Sequence, residues 1–168
     1  MYRIAAARPC DLPLLAAIEV AAATLLAGHA PASVLAETTT QADLENAQQR
    51  GQLWVALADG VPVGFARTEV LEPGIAHLEE IDVHPEHGRR GLGTRLVLAV
   101  CQWAATNGYS WVTLTTFRDA RGTCRSTRDW GSRRSLRRST ALPCCRFSTM
   151  RPDEVWIPVA AWRCAADA

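Results

Sequence analysis

The stretch IDVHPEHGRRGLGTRL, residues 81–96, constrains this chain more than any other. An apolar strand pattern ends at Val83, a loop rich in glycine and arginine follows, and a helical pattern begins at about Gly91. A loop of this kind aims several unpaired backbone N–H groups at one point, together with the positive end of a helix dipole. Glycines let the backbone approach an anion closely. Arg89 and Arg90 add positive charge. Together these features would hold a pyrophosphate between a strand and the helix that follows it.

The flanking sequence supplies elements to carry that loop. Tyr2–Ala6 reads as a short strand, and Asp11 as the cap of a helical run with Leu12, Leu15, Ile18 and Leu25 at helical spacing. The proline within His29–Ser33 breaks that run. Thr40–Arg50 is a second, more polar helix, closed by Gly51. Leu53–Leu57, Val61–Val70 and Ile75–Val83 form a three-strand meander, with turn signals at Asp59-Gly60 and Pro73-Gly74. Gly91–Thr106 is helical, with Leu92, Leu96, Val97, Val100 and Trp103 on one face; Asn107-Gly108 ends it, and Ser110–Phe117 is a strand. This order implies an α+β fold with a mixed, mostly antiparallel sheet flanked by helices. Beyond Phe117 only Val155–Trp162 offers a pattern, a weak one for strand or helix.

The apolar strand before the loop, the VHPEH turn, the helix after it and the strand LTTF together resemble the GCN5-related N-acetyltransferase family. The resemblance covers about residues 2–119 and is most specific at 78–96. The family's phosphate loop usually reads Gln/Arg-x-x-Gly-x-Gly/Ala; Gly91 and Gly93 match, and Gly88 stands where Gln or Arg is usual. The resemblance implies acetyl-CoA lying where strand four splays from strand five. It implies that the amides of Gly88, Arg89, Arg90, Gly91, Leu92, Gly93 and Thr94 bind the pyrophosphate. Backbone groups of Ile81 and Val83 would pair with the pantetheine arm, and an N–H near Val83 would polarise the thioester carbonyl. The expected reaction is acetyl transfer to a primary amine of a small molecule or a protein. A base must deprotonate the ammonium. Glu79 and Glu80 are adjacent on the strand and therefore point to opposite faces. Glu79 shares parity with His77 and Ile81, which favours it, and a bulge would reverse the choice. The alternative for each is a solvated carboxylate on an exposed face. His77 is a further candidate, while His84 and His87 flank the loop as turn residues.

The last 48 residues differ from the rest. Residues 1–120 carry 8 arginines and 13 acidic residues, a net of −5, whereas residues 121–168 carry 10 arginines and 4 acidic residues, a net of +6. There is no lysine; with the abundant alanine this indicates a GC-rich coding sequence. Cys124, Cys144, Cys145 and Cys164 also fall in the tail, without CxxC spacing, so no metal is expected. The family's next segment, Asn-x-x-x-Phe-Tyr-x-Arg-x-Gly-Phe, often carries the tyrosine that protonates the leaving thiolate. The only tyrosines here are Tyr2 and Tyr109, and neither fits. Joining the last base of each codon to the first two of the next makes Asp129 and Trp130 encode Leu, and Trp130 and Gly131 encode Gly. Extended from Ala120 to Ser132, the same junctions permit PWNVPFYARLGF, which restores the missing segment. The expected organisation is an acetyltransferase domain at 1–119 and an out-of-frame tail at 120–168, with the closing strands of the sheet missing.

RRSLRR (133–138) resembles a nucleic-acid arm by charge alone, but such a frame yields arginine readily, and no nucleic-acid partner is expected. Leu12–Gly28 is apolar, yet Asp11 and Glu19 flank and interrupt it. It reads as an ordinary first helix rather than a leader or a membrane span, and a cytoplasmic location is expected. A second copy is a candidate partner, as cover for the edge of strand five. The non-enzymatic alternative is a protein that binds acyl-CoA, or has lost activity, for want of the tyrosine segment.

Overall fold

The structure is a computed structural model that describes residues 1–27 and 38–115, and the backbone of 154–158. It divides into two compact units, Met1–Glu69 with Leu78–Val100, and Val70–His77 with Cys101–Ala168.

In the first unit, β1 (Tyr2–Ala6), β2 (Leu53–Ala58), β3 (Val61–Glu72) and β4 (Ile75–Val83) are hydrogen-bonded in chain order, the last two entering only in part. β1 and β2 run antiparallel from Tyr2↔Ala58 to Ala6↔Trp54. β2 and β3 run antiparallel from Leu53↔Arg67, with a bulge between Ala56 and Leu57. Their link is a tight turn in which Asp59 and Gly60 both take positive φ, 49° and 91°, as such hairpins require. One face of these strands carries Leu53, Val55, Leu57 and Phe65, which form a core with Leu12, Leu15 and Ile18 of the first helical segment and Leu44 and Ala47 of the second. Phe65 is fully buried, worth about 1.5–3 kcal/mol for a side chain of this kind. Trp54, Ala56 and Ala66 are buried too, so β2 is withdrawn from water on both faces.

Asp11 is not the helix cap expected of it. The chain enters at Arg8, and Pro9–Leu14 forms a 3-10 turn before α1 (Leu15–Ala23). Pro13 has no N–H to give the α-ladder, and its ring opposes the carbonyl four residues back, so the tighter turn is adopted. Asp11 sits inside that turn and accepts the Arg8 backbone N–H at 2.8 Å and its guanidinium at 2.8 and 3.1 Å. Those hydrogen bonds hold its carboxyl below the usual range, although burial opposes them. Leu25 was expected to continue the helical run of Leu12, Leu15 and Ile18, but α1 ends at Ala23 and Leu25 is 59% exposed in the turn that follows. The expected break at 29–33 lies outside the described residues. α2 (Gln41–Gln49) begins as expected, with Thr40 Oγ1 accepting the Asp43 N–H at 3.2 Å, and Gly51 (φ +67°) closes it. Pro9–Leu26 has the length and composition of a membrane span, but Leu12, Leu15, Ile18 and Ala22 are buried in the fold, and so are Asp11 and Glu19.

α3 (Leu92–Thr106) contributes buried Leu92, Leu96 and Val100 to the first unit and buried Cys101 and Ala104 to the second. In the second unit β5 (Trp111–Thr115) advances in step with the start of β4. The Ser110 N–H reaches Gly74 O at 2.9 Å, and Thr113 Oγ1 lies 2.7 Å from His77 Nδ1. Both strands therefore run the same way, which makes the sheet mixed. The expected Ser110–Phe117 strand is described to Thr115, and its remainder lies outside the described residues. β6 (Glu154–Pro158) pairs antiparallel with β5 from Trp111↔Pro158 to Thr115↔Glu154. One tail segment thus joins the sheet and lines an edge that the sequence reading left bare. The rest of the tail expectation lies outside the described residues.

Candidate active site

Apart from the further candidate His77, every expected site residue lies in the first unit, on β4, on the loop after it, or on the first turn of α3. After Val83, His84 turns the chain and its Nδ1 accepts the Glu86 N–H at 3.4 Å. Pro85–His87 forms one 3-10 turn, in which His87 N–H reaches His84 O at 2.8 Å and Gly88 N–H reaches Pro85 O at 3.0 Å. This corrects one part of the expected amide set: the Gly88 N–H already has an internal acceptor. Arg89 (φ 56°) and Gly91 (φ 73°) are both left-handed, an arrangement that turns successive amides toward a common point. The helical ladder opens with the Arg95 N–H on Gly91 O at 3.0 Å, so the N–H groups of Leu92, Gly93 and Thr94 have no acceptor within the helix. A Cβ at Gly93 would meet nothing within 4 Å, which leaves open space beside those donors. Arg89 and Arg90 are exposed. Free donors, positive charge and open space fit a pyrophosphate, the polar group that acetyl-CoA presents to such a loop.

β1 reaches this loop as well. Tyr2 OH lies 3.0 Å from His87 Nδ1, and Arg90 lies over the Tyr2 ring at 5.5 Å. The Arg95 guanidinium donates to Tyr2 O at 3.2 Å. Nothing in the spacing of Tyr2 suggested this contact, because it joins residues about ninety positions apart.

On β4 the His84 N–H donates to Val63 O of β3 at 2.9 Å. Successive N–H groups alternate between the two edges of a strand, so those of Val83 and Ile81 point to the edge away from β3. That edge is where an added extended chain would pair with them. Gly64 lets β3 approach closely here: a Cβ on it would stand 2.7 Å from Asp82 O and 3.3 Å from Val83 Cα.

The two candidate carboxylates differ in surroundings. Glu79 is exposed, 3.9 Å from the buried Arg67 guanidinium, which also pairs with Glu69. Arg67 Nε is buried with no hydrogen-bond partner among the described residues. Glu80 is half-buried and hydrogen-bonds to Asp82, the next residue on the same strand face. Burial raises the Glu80 carboxyl, against the Asp82 bond and the Arg67 charge, which lower it. Burial, together with Glu80 and Glu19, pushes Asp82 up to about 9. Glu19, on α1, is buried; its carboxylate accepts the Thr39 N–H at 2.9 and 3.1 Å and the Thr39 hydroxyl at 3.2 Å. Sequence reasoning missed Asp82, Glu19 and Arg67. The signals were present as an acid two residues beyond Glu80 and a lone acid inside an apolar helix. His77, the other candidate, is hydrogen-bonded to Thr113 in the second unit. No group of three or more metal-ligating side chains occurs among the described residues.

A strand–loop–helix anion cradle on a mixed α+β sheet defines a class of coenzyme-binding enzymes, and the comparisons identify it. The sequence profile of the acetyltransferase (GNAT) family matches residues 22–128, and the chain belongs to that family. It is 39% identical over 69 residues to a mycothiol acetyltransferase of Segniliparus rotundus, a match covering 41% of this chain and 25% of that protein. The fold is similar to that of the PaiA N-acetyltransferase of Thermoplasma acidophilum in complex with coenzyme A. The TM-score is 0.72 at 17% identity, over 94% of this chain and 97% of the other. It is also similar to the ribosomal-protein-S18-alanine N-acetyltransferase of Escherichia coli, with a TM-score of 0.60 at 20% identity over 95% and 94% of the two chains.

Proposed function

We propose that this chain transfers an acetyl group from acetyl-CoA to a primary amine. The observation that carries this reading is the turn from β4 into α3, which brings together three first-turn N–H groups without helical acceptors, two exposed arginines and open space beside Gly93. Leu92, Gly93 and Thr94 amides, with Arg89 and Arg90, bind the pyrophosphate. The outward N–H and C=O groups of Ile81 and Val83 hold the pantetheine arm. Acetyl-CoA supplies the thioester, whose carbonyl a β4 N–H polarises. Glu80 takes one proton from the ammonium, which frees the nitrogen lone pair. As the C–N bond forms and the C–S bond breaks, the second nitrogen proton ends on the leaving thiolate. Glu80 is favoured over Glu79 because Glu79 is exposed beside Arg67, whereas burial brings Glu80 closer to neutral-pH basicity. The acceptor is an amine of a small molecule or a protein.

The test is CoA release with small-molecule and peptide amines, beside coenzyme binding by calorimetry. Turnover with any amine supports the reading; failure to bind coenzyme overturns it. Binding without turnover favours a second reading, an acyl-CoA-binding protein that has lost catalysis. One observation speaks for it: Tyr2 is engaged with His87 and Arg90, and Tyr109 stacks on Trp103 with ring centroids 5.2 Å apart. Both tyrosine side chains are thus engaged in contacts of their own. We propose further that residues 1–119 are the catalytic domain and that 120–168 are read out of frame, on the strength of the codon junctions. Sequencing the gene across codons 117–123 in an independent isolate tests that division, and a related strain that keeps this frame and these residues would overturn it.

A further inference from the structure

We infer that Tyr2 is a positioning residue for the coenzyme: from β1 it holds the loop between β4 and α3 in the backbone course that presents the Leu92, Gly93 and Thr94 amides and the Arg90 guanidinium to the pyrophosphate. This role rests on the pyrophosphate reading of that loop. Tyr2 meets the chain before Arg89, beside it and after it, each time through a different group. Its hydroxyl lies 3.0 Å from His87 Nδ1, and the two rings meet edge to face with centroids 5.8 Å apart. Its ring lies under the exposed Arg90 guanidinium at 5.5 Å. Its carbonyl oxygen accepts the Arg95 guanidinium at 3.2 Å, at the start of α3. Tyr2 is itself anchored, half-buried and paired with Ala58 of β2. The loop needs such support. Arg89 stands at φ 56°, a left-handed course that is unfavourable for a residue with a Cβ and persists only where surrounding contacts hold it. The Leu92, Gly93 and Thr94 N–H groups have no helical acceptor, so the ladder of α3 does not fix them either. A loop free to leave this course binds an anion only for the fraction of time it holds it, and the apparent affinity falls by that fraction. Contacts on both sides of Arg89 raise the fraction. Tyr2 acts through His87 and Arg90, so coenzyme binding depends on it and the acetyl-transfer step does not.

The experiment compares wild type, Tyr2→Phe, Tyr2→Ala, His87→Leu and the Tyr2→Phe/His87→Leu double variant. It reads Kd for CoA by calorimetry, KM for acetyl-CoA against kcat, and amide hydrogen exchange without coenzyme. Tyr2→Phe keeps the ring and the carbonyl but loses the hydroxyl, and Kd and KM are expected to rise about two- to fivefold. Tyr2→Ala loses the ring as well, for a rise of about tenfold. With saturating acetyl-CoA, kcat is expected to stay within about twofold of wild type in both. In the double variant the single effects should fall short of adding, because the hydroxyl acts through His87. The Gly88 and Arg95 amides, bonded to Pro85 O and Gly91 O, should exchange faster in Tyr2→Phe, while the Thr68 amide on Gln52 O should not. An unchanged Kd in Tyr2→Phe, a fall in kcat without a rise in KM, or full additivity with His87→Leu overturns the inference. So does faster exchange at all three amides, which would mark a general loss of stability. The exchange arm needs no coenzyme, and Tyr2→Phe carries the test if the alanine variant does not fold. If wild type fails to bind CoA, the pyrophosphate reading falls and the coenzyme role of Tyr2 with it; if wild type binds and Tyr2→Phe binds equally well, only the role of Tyr2 falls.

Discussion

Two carboxyl groups on β4 lead to separate measurements. Glu80→Gln removes the proposed base and keeps the shape, so kcat is expected to fall by about 10²–10⁴-fold. Coenzyme affinity measured by calorimetry should hold. Asp82 governs stability instead. Its pKa is raised on folding, from an ordinary 3.8 to about 9, so the folded state binds the extra proton. The stabilising effect of that proton is complete below the unfolded value and is lost as pH rises through the folded one. Wild type should therefore weaken steadily between about pH 4 and 9, and Asp82→Asn should flatten that slope. The variant should melt a few degrees above wild type at pH 8, as thermal unfolding across pH would record. Gly64 bears on the same place from the opposite strand. A methyl there would press on Asp82 O at 2.7 Å, and Gly64→Ala is expected to cost about 1–3 kcal/mol in denaturant titration.

Among the elements, the proposed phosphate loop takes its backbone course from two left-handed residues, Arg89 and Gly91. Gly91→Ala places a Cβ at φ 73°, which costs about 1–2 kcal/mol and is relieved if the loop relaxes. Coenzyme binding should then weaken roughly tenfold, while the helix content by circular dichroism stays unchanged. Strand and helix limits were legible wherever local chemistry set them: Gly51 as a helix stop, Asp59-Gly60 as a hairpin. They were misread where two rules competed. At Asp11 the acidic residue suggested a cap, but Pro13 forced a tighter turn that began at Arg8. The turn from β4 into α3 was legible because glycine spacing and helix start lie within a dozen residues. The Glu80–Asp82 pair was not, because burial and the approach of α1 and β3 arise only from tertiary packing. Parity alone leaned to Glu79, and parity carries no information about which face water leaves.

For the whole molecule, the decisive quantity is what the coenzyme adds to folding. A ligand that binds only the folded state stabilises it by about 2.7 kcal/mol at a hundredfold excess over Kd. At 168 residues that corresponds to a rise in Tm of roughly 5–10 °C. A thermal shift of this size with CoA, and none with adenosine alone, would tie the gain to the phosphate and pantetheine groups. The tail adds a separate dependence. β6 runs along β5, so removing residues 154–168 should expose the β5 edge and promote self-association on size-exclusion chromatography.

The contact between β1 and the phosphate loop also sets an order of events at the ribosome. Tyr2 leaves the tunnel 93 residues before Arg95, its hydrogen-bond partner. At about 5–20 residues per second, that is a wait of roughly 5–20 s. β1 must meanwhile wait for β2 as well, so a strand made early settles only with elements made later. The loop is clasped only after Arg95 has emerged, and no coenzyme can be captured by a finished cradle before then.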